Sequence, residues 1–409
     1  MNKIRACLLP GVITLIISCL FMPSILASES SKTLSSNGRI TYRPANVSWQ
    51  GACISNLAWE PFGSATFEEQ IDLMIGASAV RIYLNYWAWV HDPVDNSLGL
   101  PYKLFLDEVA GWCYARGIRV IWCPHVFSRW GGNWGFDAKE EFLLTGRIGM
   151  PNCNNNSENW SGNWETVQTL YWSNYTQWIV EIASRPAFQH VTDAIEILNE
   201  PPGAEDWETH GSSQQALENR YIDFVRLAID TVRNTTSPDS RFIVEGCPFW
   251  RPVIFLEKPL NRSDIVYSMH WYCHTVDPYA NNWQETLVAR AYSEGRYDEA
   301  KARLLGIFND GYDGCGALFK LQNAGLPVIF GEVGTDPYNC TYWARYMQDF
   351  YDICREKNVG FLQHGFFSTP SQVPDPIAYW CYCYGMLNDD LRSLNEVGQL
   401  WHNNVGYRS

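Results

Sequence analysis

Charge is what this chain is short of. Only 18% of its 409 residues are charged, against about a quarter in ordinary globular proteins. The 30 Lys and Arg are outnumbered by 44 Asp and Glu, for a formal net charge of −14. Such an acidic chain is a poor general partner for phosphate backbones or anionic membrane surfaces, so a neutral ligand fits better than nucleic acid. Long apolar runs are absent beyond the N-terminus, and Leu8–Leu20 is short and broken by Pro10-Gly11. That argues against a transmembrane span. No Gly-rich loop follows the first strand-like run, which removes the main support for a doubly wound nucleotide-binding sheet. The eight His and 13 Cys form no group with zinc-ligand spacing, so neither a metal nor an organic cofactor is expected. No Ser/Pro-rich linker, appended domain or internal repeat divides the chain.

The N-terminus does carry a pattern. Lys3 and Arg5 precede the apolar stretch and Ala27 offers a small residue for cleavage. Residues 1–27 therefore read as a signal peptide and 28–409 as one exported domain. Ile16-Ile-Ser-Cys19 also matches a lipid-attachment box, so a chain tethered to the cell surface at Cys19 is the alternative. A monomer is expected. Eleven cysteines follow the leader. Export permits disulfides, but their pairing stays open. Cys53, Cys123, Cys247 and Cys273 lie in or beside strand-like runs and read as small buried apolar residues.

Aromatic residues make up 15% of the chain, with 19 Trp. Trp seldom buries completely and usually keeps one polar edge wet. Trp87, Trp89, Trp130, Trp134, Trp207 and Trp271 fall at or just after strand ends, where they are candidate platforms for the apolar faces of sugar rings. Core packing is the competing role for each.

Eight runs have the composition of strands: Trp49–Ser55, Ala79–Leu84, Arg119–His125, Asp193–Asn199, Arg241–Gly246, Asp264–Tyr272, Pro327–Glu332 and Gly360–Phe367. Most are apolar almost throughout, as strands covered on both faces must be. Helical periodicity separates them, for example over Trp172–Ala183, Tyr221–Val232 and Tyr342–Cys354. Arg116-Gly117, Gly325-Leu-Pro327 and Asn358-Val-Gly360 supply stops. Eight alternations of strand and helix predict a single (β/α)8 TIM barrel, with long loops after the third and sixth strands on its C-terminal face.

Two of the runs end in an acid and then a chain break: Asp193-Ala-Ile-Glu-Ile-Leu-Asn-Glu-Pro201 and Pro327-Val-Ile-Phe-Gly-Glu-Val-Gly-Thr335. A carboxylate at the mouth of a buried strand costs stability unless it is paired. Two such acids facing one bond are what glycoside hydrolysis requires, one to protonate the leaving oxygen and one to attack the sugar. Arg81, in Val80-Arg-Ile-Tyr83, keeps its charge and demands a carboxylate partner.

In strand order and in Leu198-Asn-Glu-Pro201 and Phe330-Gly-Glu-Val-Gly334, the mature chain resembles glycoside hydrolase family 5, retaining cellulase-like (β/α)8 glycosidases. The resemblance implies Glu200 as acid/base and Glu332 as nucleophile. It further implies Arg81, His125, Asn199, His270 and Tyr272 as binding and orienting residues, with Trp271 beside them. Many members floor the cleaved sugar with a Trp at the end of strand eight. Here that strand reads Gly360-Phe-Leu-Gln-His-Gly-Phe-Phe-Ser368, and Phe366, Phe367 or Trp380 is the expected substitute. A secreted endo-β-1,4-glucanase acting on a polysaccharide or oligosaccharide is the implied activity. A β-mannanase or another β-glycosidase of the family is the alternative, and a non-catalytic sugar-binding barrel is the alternative of another class.

Overall fold

A computed structural model describes residues 32–34, 40–42, 49–54, 66–94, 96–126, 136–151, 166–203, 213–236, 240–273, 284–311, 316–335, 337, 340–366 and 385–406. The leader with Cys19, the loop tryptophans Trp130, Trp134 and Trp160, and Trp207, Phe367 and Trp380 lie outside the described residues. Within residues 1–43, Lys32–Leu34 and Ile40–Tyr42 pair as an antiparallel ribbon.

Residues 44–409 form a separate unit built on a closed barrel of eight parallel strands. In order they are Gln50–Ile54, Ala79–Asn85, Arg119–Val126, Thr192–Glu196, Arg241–Glu245, Ile265–Cys273, Val328–Thr335 and Gly360–His364. Each pairs with its neighbours in the sequence, and the eighth closes on the first with Phe361 opposite Gln50 and His364 opposite Cys53. The (β/α)8 expectation is met. Two strands end three residues earlier than expected. The fourth stops at Glu196 rather than Asn199, and the eighth at His364 rather than Phe367.

Alternation along each strand divides two cores. Ala79 and Tyr83 join Ile121, Cys123, Ala194, Ile243, Val266, Ile329 and Leu362 inside the barrel. Val80, Ile82, Leu84, Ile195, Tyr267, Met269, Phe330 and Phe361 face the helices. The helix Gln214–Thr235 shows how the outer layer is made. Ser213 caps its start, and Leu217, Tyr221, Phe224, Val225, Ala228 and Val232 bury one stripe. Each such side chain contributes about 1.5–3 kcal/mol of burial. The helix Trp343–Lys357 stops where expected, at Asn358, which takes a left-handed φ of 51°.

Both long inserts contain regular structure. The one after the third strand holds the helix Phe136–Thr145 and the ribbon Arg147–Pro151 with Thr166–Tyr171. The one after the sixth holds the helices Gln284–Ser293 and Tyr297–Asp310. Among the described residues, no helix is long and apolar enough to cross a membrane.

Candidate active site

The site begins with a misfit residue inside the barrel. Alternation from Ala79 and Tyr83 points Arg81 inward, where it is fully buried. A guanidinium cannot shed its charge there, so it gathers acceptors. Its Nε and Nη2 clamp Glu196 at 2.6 and 2.9 Å, Nη2 reaches Asn199 Oδ1 at 2.5 Å, and Nη1 reaches Glu332 Oε1 at 2.5 Å. One cation therefore ties the second, fourth and seventh strands together at their C-terminal ends.

Glu332 reaches the interior through a bulge. Met269 opposes Phe330, yet His270 opposes Glu332, so Gly331 is an extra residue in the seventh strand. Without it, the alternation that puts Ile329 inside and Phe330 outside would send Glu332 outward. Glycine suits the position, because a Cβ would stand 2.3 Å from Ser268 Oγ and force that hydroxyl to shift. Tyr83 OH donates to Glu332 Oε1, and Tyr272 OH donates to Oε2 at 2.5 Å. Burial alone would push the Glu332 carboxyl up. The His270 and Arg81 charges, aided by the Tyr272 hydrogen bond, outweigh that and hold it well below the usual carboxylate range.

Glu200 is placed differently. It lies four residues beyond its strand at a left-handed φ of 48°, which a non-glycine residue adopts only when held. Its N–H donates to Glu245 Oε2 at 2.7 Å, and its carbonyl accepts from Lys139 Nζ at 3.1 Å. Its side chain is 23% exposed, with Oε1 3.0 Å from His270 Nδ1. His270 in turn lies 2.6 Å from Glu245 Oε1 through Nε2 and 3.4 Å from Glu332 Oε2 through Nδ1. Burial would lower the His270 pKa, but Glu245 and Glu332 carry it well above the ordinary imidazole value. Carboxylate oxygens of Glu200 and Glu332 stand within 4.8 Å of one another.

Asn199 is buried beside them. Arg81 takes its Oδ1, which leaves Nδ2 with no hydrogen-bond partner among the described residues. A buried unpaired donor is costly and suits a ligand acceptor. His364 closes the remaining side, with Nδ1 3.3 Å from Tyr83 OH and 3.7 Å from Glu332 Oε2. Burial keeps its pKa below the ordinary value. Two groups, Glu196–Glu245–His270 and Glu200–His270–Glu332, have donor atoms close enough for a metal ion. Arg81 already supplies the balancing cation to both, 3.7 Å from Glu245 and 2.5 Å from Glu332.

Of the residues expected from sequence, Arg81, Asn199, Glu200, His270, Tyr272 and Glu332 come together here. Trp271 and Phe366 do not. Trp271 is 5% exposed and faces outward against Phe308, because it alternates with inward His270 and Tyr272. Phe366 is fully buried against Trp401 in the outer core, so it is no sugar floor. Trp89 is likewise packing, with its Nε1 on Glu181. The side chains of His125 and Trp87 lie outside the described residues. Sequence reasoning missed Tyr83, Glu196, Glu245 and His364. Glu245 ends Arg241-Phe-Ile-Val-Glu245 before Gly246, the same signature that singled out Glu332.

A family model described as cellulase, glycosyl hydrolase family 5, matches residues 42–364. The chain is also similar to solved structures. One is a beta-glucanase from Saccharophagus degradans in complex with cellotetraose, at 15% identity and TM-score 0.54, over 90% of this chain and 88% of that one. Another is the catalytic domain of the major endoglucanase from Xanthomonas campestris pv. campestris, at 15% identity and TM-score 0.53, over 92% and 98%. A third is a hyperthermophilic endocellulase from the archaeon Pyrococcus horikoshii, at 13% identity and TM-score 0.56, over 90% and 94%. At such identities the likeness speaks for the fold alone. No curated protein matches the chain.

Proposed function

Because the chain belongs to the cellulase family, glycosyl hydrolase family 5, and is a glycoside hydrolase, we propose that it is a secreted, retaining endo-β-1,4-glucanase. The observation that carries the reading is the approach of Glu200 and Glu332 to within 4.8 Å between carboxylate oxygens, one partly exposed and one sunk among donors. Retention calls for carboxyl groups about 5–5.5 Å apart, too close for a water to stand between them and the sugar.

Glu332 is the nucleophile. An ionised carboxylate attacks the anomeric carbon, and the glycosidic bond breaks with its electron pair passing to the leaving oxygen. Glu200 gives that oxygen its proton. In the second step Glu200 takes a proton from water, whose oxygen attacks the anomeric carbon and releases Glu332 from the ester. Arg81, Tyr83 and Tyr272 hold Glu332 in its attacking ionisation state, and Asn199 Nδ2 donates to a hydroxyl of the sugar. Each step moves only protons and electron pairs among carboxyls, sugar and water.

The acidic net charge favours an uncharged glycan, and the family model's description as cellulase favours glucan over mannan. Hydrolysis of a panel of β-glucans and β-mannans, with the anomer of the first product followed by NMR, tests the reading. Internal cleavage of β-1,4-glucan with a β-anomer released is the expected outcome. An α-anomer overturns the mechanism, preference for mannan overturns the substrate, and binding of oligosaccharides without cleavage favours a sugar-binding barrel. Sequencing the mature N-terminus distinguishes export with cleavage after Ala27 from a lipid-modified Cys19.

A further inference from the structure

Glu245 ends the fifth barrel strand fully buried, and the chemistry above gives it no task. It nevertheless meets Glu200 by two routes. Its Oε2 accepts the Glu200 N–H at 2.7 Å, which pins the left-handed turn carrying that acid. Its Oε1 stands at ion-pair distance, 2.6 Å, from His270 Nε2, and His270 Nδ1 stands 3.0 Å from Glu200 Oε1. The three side chains form a line from the barrel interior to the cleft.

Buried groups from several strands crowd Glu245. Glu196 faces it from the fourth strand, Arg81 from the second at 3.7 Å, Cys123 from the third and His270 from the sixth. From the helix Gln214–Thr235, Tyr221 OH donates to its main-chain carbonyl at 3.0 Å. Two buried carboxyls side by side hold one proton between them. Burial, with Glu245 adjacent, pushes Glu196 up to about 8. Glu245 Oε1 and His270 Nε2 stand 2.6 Å apart without the alignment of a hydrogen bond, and an acceptor oxygen that close favours a proton on Nε2. Nδ1 is the ring atom that faces Glu200, at 3.0 Å from its Oε1.

We propose that Glu245 is a positioning residue for the acid/base, fixing the Glu200 main chain and, as counter-ion of His270 Nε2, keeping a proton at the His270 Nδ1–Glu200 contact for delivery to the leaving oxygen. The proposal rests on the reading of Glu200 as the acid. It makes this site a relay of Glu245, His270 and Glu200 rather than a single carboxyl.

Glu245→Gln keeps the shape and an acceptor for the Glu200 N–H but removes the anion. It is to be compared with Glu200→Gln on aryl glycosides of the disaccharide the enzyme releases, with phenol and with 2,4-dinitrophenol as leaving groups. For Glu245→Gln, kcat/KM on the phenyl glycoside should fall about 10- to 100-fold, below the loss of the acid itself. On the dinitrophenyl glycoside, whose departure needs no proton, it should change less than about threefold. The alkaline limb of the pH profile should move down by roughly one unit, because a lost neighbouring anion weakens proton binding. Equal losses on both substrates with an unmoved limb overturn the proposal while leaving Glu200→Gln leaving-group dependent. If Glu200→Gln itself shows no such dependence, the reading of Glu200 falls and the proposal with it. A second measurement needs no variant. Ring ¹⁵N shifts of His270 in the native enzyme should report a protonated Nε2 from pH 5 to 9, and loss of that proton within this range contradicts the relay.

Discussion

The two acids of this site sit within 4.8 Å of one another, yet their supports have little in common. Glu332 belongs to a regular strand, turned inward by one bulge at Gly331, and is surrounded by Arg81, Tyr83, Tyr272 and His270. Glu200 stands on a left-handed turn beyond its strand, partly in solvent, with His270 as its side-chain partner among the described residues. The lesson is that one fold can sink one carboxyl among donors and open another to the cleft, side by side. Charges and hydroxyl donors lower one carboxyl, and an imidazole faces the other.

The sharpest way to break the comparison is to remove the stored charge. Glu332→Gln should cost on the order of 10⁴- to 10⁶-fold in kcat, by analogy with the loss of other nucleophiles, while oligosaccharide binding stays measurable by calorimetry. Retention of more than a few per cent of activity would remove Glu332 from the chemistry. Glu200→Gln comes next. Its loss should be about 10²- to 10⁴-fold on poor leaving groups, the range for general acid catalysis, and small on activated ones. A uniform loss would mean the two acids do not divide the work.

Gly331→Ala attacks the device that turns Glu332 inward. The added Cβ meets Ser268 Oγ at 2.3 Å, so the variant should lose about 1–3 kcal/mol of stability by overpacking. Because misplacement by about 1 Å can cost roughly 100-fold in rate, kcat should fall further than stability implies. Chemical denaturation and steady-state kinetics on the same preparation would check this. An unchanged kcat would show that the bulge does not set the nucleophile.

The smallest effect concerns pH and stability. Burial holds Glu196 up at about 8 against an ordinary 4.5, and Glu245 and Glu332 hold His270 well above 6.5. Both bind protons more tightly folded than unfolded. Their contribution is complete below those ordinary values and declines as pH rises toward the folded ones, for Glu196 until about 8. Glu332 runs the other way. Its contribution is present above 4.5 and is lost as pH falls through its lowered value. Tm should therefore decline from pH 6 to 9, and Glu196→Gln should flatten the decline by roughly 2–4 °C per kcal/mol involved. Calorimetric scans across that range would decide, and a Tm that rises toward pH 9 in the native protein contradicts the proton placement.

The barrel was legible because strands covered on both faces leave apolar runs, and helix stops such as Asn358 stand between them. The paired acids were legible because a charged residue at the end of such a run is unusual. What could not be read was phase. His270, Trp271 and Tyr272 alternate, so all three cannot face inward, and only the barrel's register decides that Trp271 is the outward one. Phe366 lies two residues past the end of its strand, where the chain has already turned toward Trp401. Glu196 and Glu245 escaped notice because their meaning depends on Arg81 and His270, brought to them by other strands. The strand-end acid of Glu245 stood in the sequence, but its pairing with another strand left no local trace.

The central claim is that Glu332 attacks the sugar whose leaving oxygen Glu200 protonates. A 2-deoxy-2-fluoro glycoside with an activated leaving group slows release of the ester and lets the labelled peptide be identified by mass spectrometry. Label on Glu332, with turnover restored as the ester slowly hydrolyses, is the predicted result. Label on Glu200 or elsewhere, or inactivation with no covalent adduct, contradicts it.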